Sequence, residues 1–232
     1  MARLFSASGT TKLANTAGAP ATAMPITFSC WVYPTAFDDP IGAGSLISLL
    51  DTDGSLDAFN MRIENNGSLR ALTTSSGTDG QFAESGAGTV VLNSWQHCAC
   101  TFVSTTSRAV FLNGAKFTNA VSATAPSGVN DVALGAMYNI SPDKLFFTGR
   151  MAEAAIWNVA LSDDEIISLS RKFSPALVRP TALAAYWPLM GAVSPEPDLK
   201  GGYPLTITGS VPKADHVPII ARRRPSYPME LY

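Results

Sequence analysis

"TGRMAEAAIWNVALSDDEI", residues 148–166, joins an alternating strand pattern directly to the start of a helix. Successive side chains of a strand point to opposite faces, so residues 149–158 are predicted to form one strand with two distinct faces. One face carries Ala152, Ala154 and Ile156, and the other carries Met151, Glu153 and Trp157. The chain then turns within "NVAL", which separates the strand from the helix.

A short helix is predicted over residues 163–173, "DDEIISLSRKF". Ser162 followed by Glu165 is the capping-box pattern, in which each side chain binds the free backbone N–H of the other residue. Acidic residues fill the first turn, and Arg171 and Lys172 lie in the last turn, so the charges complement the helix dipole. We therefore interpret these charges as structural rather than catalytic.

Other segments show the same two-residue alternation. "ITFSCWVY" places four apolar side chains on one face: Ile26, Phe28, Cys30 and Val32. "WQHCACTFV" does the same with Cys98, Cys100 and Phe102. "RAVFLNGAKF" contains Asn113-Gly114, which suits a type I′ hairpin turn because both central residues of that turn need a positive φ. "ENNG", residues 64–67, is predicted to be a turn between two further strands.

Turn signals recur at short intervals between these segments, and no long helical periodicity interrupts them. This pattern is typical of an antiparallel two-sheet β-sandwich. A chain of 232 residues is long enough to bury the core of one such domain. We therefore predict an all-β sandwich with one short helix over residues 1–210, followed by an extended C-terminal arm over residues 211–232.

The charge of the chain argues against two classes of partner. Charged residues make up 15% of the sequence and the formal net charge is -2, so no basic field is present to hold nucleic acid or an anionic membrane. No apolar run approaches the roughly 18 residues of a membrane span, so no membrane insertion is expected. The first residues lack the apolar run of a secretion signal, and we expect synthesis in the cytoplasm.

The three cysteines are predicted to be buried free thiols that behave as small apolar residues. Cys98 and Cys100 are two residues apart, so on a strand both point the same way and are poorly placed to bond each other. Cys30 is then left without a partner. A zinc site would need further ligands, and the chain has only His97 and His216. No disulfide, metal or cofactor is expected.

Candidate catalytic carboxylates are few and scattered. Hydrolysis of a glycosidic bond needs two carboxyl groups on opposite sides of that bond. Glu64 and Glu153 are isolated in the sequence, and Glu84 lies in the Gly/Ser-rich stretch "GTDGQFAESGAG". We predict no catalytic residue and no enzyme. A hydrolase that uses Glu153 in a site assembled in space is kept as a less favoured alternative.

Aromatic residues on the predicted strands offer a different function. Sugars present apolar C–H faces that stack on aromatic rings. Three tryptophans are the candidate glycan-stacking residues: Trp31, Trp95 and Trp157. Because their neighbours in sequence are apolar, a position in the core is the simpler interpretation of these side chains. The alternative function, a carbohydrate-binding module, depends on which interpretation holds.

The part of the chain after the helix is rich in proline, which prevents a long helix there. "LAAYWPL" and "YPLTITGSV" are predicted to be strands that complete the sandwich, and "PDLKGGY" is predicted to be a turn. The end of the arm mixes cations with aromatic residues. Five of its residues are predicted to dock to a partner protein: Arg222, Arg223, Arg224, Tyr227 and Tyr232. A disordered, solvated end explains the same composition equally well.

Four of these segments resemble those of laminin G-like, concanavalin A-like jelly rolls of the pentraxin type. "FTGRMAEAAIWNVALSDDEI" resembles the closing motif of that family, "ITFSCWVYP" an early strand, "NSWQHCACTF" a central strand and "AVFLNGAKF" the hairpin that follows it. The segments occur in the family's order over roughly residues 1–172. The resemblance implies a concanavalin A-like jelly roll.

The resemblance also includes a departure that concerns metal binding. Relatives with a "GRIDEV"-like strand carry an Asp-Glu pair where this chain has Ala152 and Glu153. Some relatives bind calcium, which needs six to eight oxygen ligands. The loop residues Asp51, Asp53 and Asp57 lack a decisive calcium-loop spacing, and we interpret them as turn formers. No metal-binding residue is predicted.

Residues 177–220, with "YWPL", "SPEPD", "GG", "TITG" and "DHVP" in that order, resemble the end of laminin G-like proteins encoded by tailed bacteriophages. This resemblance implies a non-enzymatic virion structural protein that decorates the capsid or binds at the particle surface. Capsid or other virion proteins and further copies of the chain would be its partners, and a host glycan a further one. Counting copies of the chain in purified particles tests this expectation.

Overall fold

The structure, a computed structural model, describes residues 1–6, 11–137, 144–191 and 194–220. These residues contain an eight-residue helix, α1 (Asp163–Ser170), a short 3₁₀ turn (Pro175–Leu177) and strands in two sheets. The strands are β1 (Ala2–Phe5), β2 (Lys12–Asn15), β3 (Ile26–Pro34), β4 (Ala43–Leu50), β5 (Ala58–Glu64), β6 (Leu69–Ser75), β7 (Thr78–Glu84), β8 (Gln96–Ser104), β9 (Ser107–Leu112), β10 (Ala115–Asn119), β11 (Asp131–Leu134), β12 (Gly149–Trp157), β13 (Leu183–Trp187), β14 (Thr206–Thr208) and β15 (Lys213–Ala214).

The two sheets pack face to face, and the strand pairs within them are antiparallel. The eight-stranded sheet has the order β10-β9-β8-β3-β12-β1-β15, with β13 also paired to β12. The seven-stranded sheet has the order β14-β2-β11-β4-β5-β6-β7. The prediction of an all-β, two-sheet antiparallel sandwich with one short helix is confirmed. Neither helical segment of the described residues is long and apolar enough to cross a membrane.

Strands β3 and β8 form the centre of the eight-stranded sheet, and their alternating patterns are confirmed. The predicted inward residues of both strands lie in the main buried cluster between the sheets: Ile26, Phe28, Cys30, Val32, Cys98, Cys100 and Phe102. The three cysteines are buried free thiols, as predicted. Burial raises the pKa of the Cys98 thiol, because a thiolate is unstable away from water, so this side chain remains neutral in the core.

The predicted turns are also present where the sequence placed them. Asn113 and Gly114 have φ values of 51° and 86° and join β9 to β10 as a two-residue hairpin. "ENNG" joins β5 to β6, with Gly67 at a φ of 76°. In both turns the positive φ falls on a residue type that tolerates it.

The faces of β12 differ from the prediction. Met151, Ala154 and Ile156 point into the main core, whereas Ala152 and Trp157 lie in clusters on the outer face of the sheet. Ala152 and Ala155 are three positions apart, whereas their partners on β3, Trp31 and Ser29, are two positions apart, so β12 carries one extra residue, a β-bulge. Glu153 occupies the bulge with a φ of 55°. Because side chains alternate with a period of two, one extra residue exchanges the faces after it.

Helix α1 begins as predicted and ends earlier than predicted. Ser162 and Glu165 form both hydrogen bonds of the capping box. The helix ends at Ser170, Arg171 is its C-cap, and Lys172 has a φ of 73°, so no basic residue lies in the last turn. The predicted interaction of Arg171 and Lys172 with the dipole of the last turn is therefore wrong. The helix is anchored instead by its apolar face, which is buried beside Trp157 on the outer side of the eight-stranded sheet.

The C-terminal part completes both sheets. "LAAYWPL" and "YPLTITGSV" contain β13 and β14, as predicted, and Asp198 forms the turn between them by accepting hydrogen bonds from the backbone N–H groups of Gly201 and Tyr203. Residues 211–220, which we predicted to be the first part of an arm, instead pack on the sandwich. Strand β15 pairs with β1, and Val211 and Val217 are buried.

The five predicted docking residues, Arg222, Arg223, Arg224, Tyr227 and Tyr232, lie outside the described residues. Their role in docking to a partner stays a prediction. We use the name strap for residues 211–220. Its first part contains β15 at the edge of the eight-stranded sheet, and its second part, with Val217, crosses the outer face of that sheet.

Candidate functional site

The three tryptophans predicted as glycan-stacking candidates have different surroundings. Trp157 is fully buried, and its Nε1 donates a hydrogen bond to the backbone oxygen of Val178 at 2.9 Å. Trp31 is 6% exposed and packs against Ala152 and, on the strap, Val217. Neither ring offers a face to a sugar in this structure, and the stacking role of these two residues stays a prediction.

Trp95 is partly exposed at the end of the loop that leads into β8. Its ring meets that of Tyr33 edge to face, with 5.8 Å between the ring centroids. The guanidinium of Arg150 lies over the ring of Tyr33, 4.7 Å from its centroid. Trp95 is therefore the one predicted stacking residue that keeps part of its ring in solvent.

A cleft of about 260 Å³ lies on the outer face of the seven-stranded sheet. The lining of the cleft is partly apolar and partly polar. The apolar residues are Ile41, Ala43, Met137 and Leu145, and the polar residues are Arg62, Glu64, Thr74, Asp79 and Lys144. A concave site with an apolar wall and a few converging polar groups is the usual form of a small-ligand site.

The strands position the polar groups through their register. Arg62 on β5 is directly opposite Arg70 on β6, and Arg70 is opposite Glu84 on β7. Two arginines facing each other repel, and Glu64 compensates by contacting both, at 2.6 Å from Arg62 Nε and 3.1 Å from Arg70 Nη1. Asp79 contacts Arg62 Nη1 at 3.0 Å, and Glu84 contacts Arg70 Nη2 at 2.9 Å. We call these five residues the arginine–carboxylate network.

The network differs in exposure along its length. The side chains of Arg62 and Glu64 are 10% and 14% exposed, whereas that of Asp79 is 47% exposed and faces the solvent at the mouth of the cleft. The Thr74 hydroxyl donates to Asp79 Oδ1 at 2.9 Å and holds this carboxylate in place. A fixed carboxylate that remains accessible to solvent is well placed to accept hydrogen bonds from a ligand.

The charges around the cleft balance. Burial alone would raise the pKa of Glu84, but hydrogen bonds from Ser68 and Arg70, together with the Arg70 charge, lower it, so this carboxyl stays ionised. Lys144 forms no ion pair within the described part of the chain and adds a third cation to Arg62 and Arg70. Among the described lining residues, Arg62 and Lys144 balance Glu64 and Asp79, and in the rest of the network Arg70 balances Glu84, so these residues carry no net charge.

Two buried polar atoms beneath this face have no hydrogen-bond partner among the described residues: Asn60 Oδ1 and Arg70 Nε. Asn60 lies on the same face of β5 as Arg62, and its amide donates to the Ser45 and Ser48 hydroxyls at 2.7 Å each. Buried unsatisfied polar groups are uncommon in folded proteins. They leave this face with hydrogen-bonding capacity that the described residues do not use.

The sequence of residues 7–167 matches a family model described as the concanavalin A-like lectin/glucanase superfamily. The chain belongs to this superfamily. No curated protein sequence matches the chain.

Solved structures of the same fold include lectin-like and carbohydrate-binding proteins. A protein of Bacteroides ovatus assigned to carbohydrate binding is 19% identical over 92% of this chain and 60% of its own, with a TM-score of 0.61. A SAP-like pentraxin of Limulus polyphemus is 14% identical over 73% of this chain and 81% of its own, with a TM-score of 0.54. The CBM40 module of a Ruminococcus gnavus IT-sialidase, bound to α2,3-sialyllactose, is 20% identical over 65% and 84%, with a TM-score of 0.50. At these identities the matches show the fold alone.

Glu153, the candidate for catalysis by a glucanase-like member of the superfamily, lies away from the cleft. Its carboxylate is 5% exposed, accepts a hydrogen bond from the Tyr186 hydroxyl at 2.6 Å and lies 3.2 Å from His216 Nε2. Its neighbours are thus a phenol and an imidazole. The two-carboxylate arrangement of glycosidases is not formed around Glu153 by the described residues.

The acidic loop residues Asp51 and Asp57 stabilise turns, which is the structural role that the sequence predicts. Asp51 accepts hydrogen bonds from the backbone N–H groups of Asp53 and Ser55 at 2.9 Å. Asp57 accepts from those of Ser76 at 2.7 Å and Ser127 at 2.8 Å. Asp51 and Asp57 therefore stabilise turns, as predicted. Within the described ranges, no three His, Cys, Asp or Glu side chains are grouped to hold a metal ion.

Sequence reasoning missed the arginine–carboxylate network. Glu64 and Glu84 are isolated along the chain, yet both contact Arg70 in the folded protein. The available signal was the alternation in "AFNMRIE", which places the polar residues Asn60, Arg62 and Glu64 on one face of a strand. What the sequence did not contain was the register that brings β6 and β7 beside that face.

Proposed function

We propose that the chain is a non-enzymatic carbohydrate-binding domain and that the cleft on the outer face of the seven-stranded sheet binds a neutral saccharide. The observation that carries the proposal is the composition of this cleft. The cleft combines apolar residues with cations and carboxylates whose charges compensate each other.

A sugar has groups that suit both the polar and the apolar residues of the cleft. Its hydroxyls donate to a carboxylate such as Asp79 and accept from a cation such as Lys144, and such charge-assisted hydrogen bonds are about twice as strong as neutral ones. Its C–H groups pack on apolar side chains such as Leu145. Because the described charges sum to zero, the cleft has no net attraction for an anionic or cationic ligand. A neutral sugar is the ligand class that this balance favours.

The relatives support the same function at the level of the fold. The Bacteroides ovatus protein is assigned to carbohydrate binding, and the Ruminococcus gnavus module is bound to α2,3-sialyllactose, which is an acidic sugar. They support carbohydrate binding, and the choice of a neutral sugar rests on the charges of the cleft alone. The cleft gives a reason to favour binding over catalysis. Glu84, whose pKa is lowered, cannot act as a general acid near neutral pH, since that role needs a carboxyl with a raised pKa.

The test is a glycan array followed by titration calorimetry on the sugar that binds. We expect Asp79→Ala to weaken binding by about tenfold or more, the usual effect of losing a hydrogen bond to a charged group. Asp163→Ala is the matched control, because Asp163 is also exposed and also forms one ion pair, with Lys116, but lies outside the cleft. Equal binding by wild-type protein and Asp79→Ala would contradict the assignment of the cleft.

The partly exposed pair of Trp95 and Tyr33 is the second candidate sugar site, because stacking needs an accessible ring. The same titration with Trp95→Ala separates the two sites. Binding that survives Asp79→Ala and is lost in Trp95→Ala would place the sugar on the aromatic pair instead of in the cleft.

The expectation of a virion structural protein receives no support from the comparisons and stays a prediction, as do its location in a phage particle and its assembly into oligomers. Truncation of the chain tests the predicted docking role, and the structure decides where to truncate. Deletion of residues 217–232 would remove Val217, which packs on Trp31. Deletion of residues 221–232 leaves the strap intact and removes the five predicted docking residues, so it tests the docking role alone.

A further inference from the structure

The strap is attached to the sandwich at its two ends and at points between them. At its start, β15 makes only two residue pairs with β1, the Pro212 carbonyl accepts a hydrogen bond from the Leu4 N–H at 2.9 Å, and the Val211 carbonyl accepts one from Arg3 Nη1 at 2.9 Å. At its end, the Ile220 N–H donates to the Lys172 carbonyl at 2.7 Å, and the Ile220 carbonyl accepts from the Ser174 N–H at 3.2 Å. Between these ends the strap covers the buried ring of Trp31. A segment with so few backbone hydrogen bonds depends on its side chains to stay in place.

Two side chains attach the middle of the strap: Asp215, through an exposed ion pair with Arg150, and His216, through a largely buried contact with Glu153. The Nδ1 of His216 faces the backbone oxygen of Val217, and its Nε2 faces Glu153 Oε1 at 3.2 Å and the backbone oxygen of Pro188 at 3.3 Å. All three partners are acceptors. A neutral imidazole carries one N–H and can satisfy only one side of this arrangement, whereas an imidazolium donates from both nitrogens. The surroundings of His216 therefore select its charged form.

Glu153 is built to receive that charge. The bulge of β12 holds its backbone at a φ of 55°, and its carboxylate is 5% exposed with one hydrogen bond from Tyr186. A buried carboxylate needs a compensating cation or several hydrogen bonds. Loss of the His216 proton removes the cation beside Glu153, and a neutral ring that donates to Glu153 from Nε2 leaves the Val217 carbonyl without its donor. One proton therefore affects both the strap and the sheet.

We propose that His216 is a protonation-dependent latch: its imidazolium, bound to Glu153, holds the strap on the outer face of the eight-stranded sheet, and its deprotonation frees the strap and uncovers Trp31. The latch lies on the eight-stranded sheet, whereas the cleft lies on the seven-stranded sheet. The latch proposal therefore does not depend on sugar binding by the cleft.

The direction of the pH response follows from the groups around His216. Burial alone would lower the pKa of His216, and the ammonium of Met1 acts in the same direction. The hydrogen bonds to Glu153 and to the Val217 carbonyl and the Glu153 charge outweigh both and hold the pKa above 6.5. The latch is therefore closed at pH values below 6.5 and loosens as the pH rises through this raised value.

Other charged groups lie near the latch. Lys213 and Asp215 flank His216 on the strap, and Asp215 pairs with Arg150 at 3.3 Å. The Met1 ammonium repels a charged His216 ring and so favours the neutral form of that ring.

The experiment is hydrogen exchange of the strap between pH 6.0 and 8.5, followed by mass spectrometry and corrected for the intrinsic pH dependence of exchange. In wild-type protein we expect protection of residues 211–220 to fall as the pH rises, by about tenfold for each unit by which folding raises the pKa of His216. In His216→Gln, which has no titrating ring, protection should be low and constant. Asp215→Asn, the control from the same strap, should follow wild type.

Constant protection of the strap in wild-type protein, or an unchanged pH dependence in His216→Gln, would overturn the latch. Hydrogen exchange of the peptide from β8 reports whether a variant is folded. If His216→Gln does not fold, Glu153→Gln replaces it in the comparison with wild-type protein. A second readout follows Trp31 directly. Its fluorescence should shift to longer wavelength with rising pH in wild type, and Trp31→Phe should lack the shift; a shift that survives in Trp31→Phe would contradict uncovering of this ring.

Discussion

At the scale of single residues, Gly149 sets the start of β12 because no side chain fits there. It has a φ of 147°, and a Cβ at this position would lie 2.4 Å from the backbone oxygen of Tyr33 and 2.8 Å from Pro34 Cα. Both contacts are with backbone that is fixed in the neighbouring strand β3. Any substitution must therefore push two central strands of the sheet apart.

We expect Gly149→Ala to lower the free energy of unfolding by about 3 kcal/mol, since overpacking and an unfavourable φ both act. Urea denaturation measures the change as a shift in midpoint. Gly54→Ala is the matched control, because a Cβ on Gly54 meets no atom within 4 Å. Similar midpoints for the two variants would show that the sheet can accommodate the methyl group.

The tryptophans show what single residues could not disclose in the sequence. The surroundings of Trp157 were predictable, because it follows an apolar strand and a core position was the simpler interpretation. Those of Trp31 were not, because the residues that cover it, Val217 and Ile219, are in the strap and far away in the chain. Alternation predicts the face of a strand, and it says nothing about which distant segment packs over that face.

At the scale of elements, helix α1 owes its start to its cap. The Ser162 hydroxyl accepts from the Glu165 N–H at 3.3 Å, and the Glu165 carboxylate accepts from the Ser162 N–H at 2.7 Å. These bonds satisfy backbone groups that the first helical turn cannot. Because α1 has only eight residues, a single cap is a large part of its local stabilisation.

Ser162→Ala should therefore destabilise the protein by about 1 kcal/mol, the usual effect of removing an N-cap side chain. The thermal midpoint measured by calorimetry checks this value. Ser168→Ala removes a hydroxyl from the interior of the same helix, where it bonds the Asp164 carbonyl, and should change stability little because alanine has the higher helix propensity. If both variants unfold at the wild-type temperature, the capping box does not contribute measurably to folding.

Strands were predictable from the sequence where their period was unbroken. β3 and β8 alternate regularly and have one face in the core, so their inward residues were correctly assigned. β12 was predicted as a strand, but its faces were exchanged beyond the bulge at Glu153. Glycine often marks a position of positive φ, and here a glutamate occupies it, so the local sequence contained no signal for the bulge.

At the scale of the whole molecule, the cleft and the latch are products of tertiary packing. Arg62, Arg70 and Glu84 meet because three strands align in register, and His216 reaches Glu153 because the strap folds back over β12. Sequence patterns predicted the sandwich that makes these contacts possible. They could not predict the contacts themselves, since each joins polar residues that are unremarkable in their own segments.

The two histidines give the molecule opposite responses to pH. His97 is fully buried, with Ser29 Oγ at 2.8 Å from Nε2 and no partner for Nδ1 among the described residues. Burial lowers the pKa of His97 to about 3, because the site cannot stabilise a cation. In the unfolded chain this residue binds a proton near pH 6.5, so acid favours unfolding. His216 has a raised pKa and favours the folded state below that value.

These responses predict that the free energy of unfolding is largest at about pH 6.5. Below it, His97 should lower the free energy of unfolding by about 1.4 kcal/mol per pH unit, because only the unfolded chain takes up its proton. Above it, stability should fall as His216 loses its proton in the folded state. Thermal midpoints from pH 4.5 to 8.5 measure both limbs. His97→Gln should flatten the acid limb alone and His216→Gln the alkaline limb alone. A profile in which either substitution changes the opposite limb would contradict this division, because each histidine titrates on one side of the maximum.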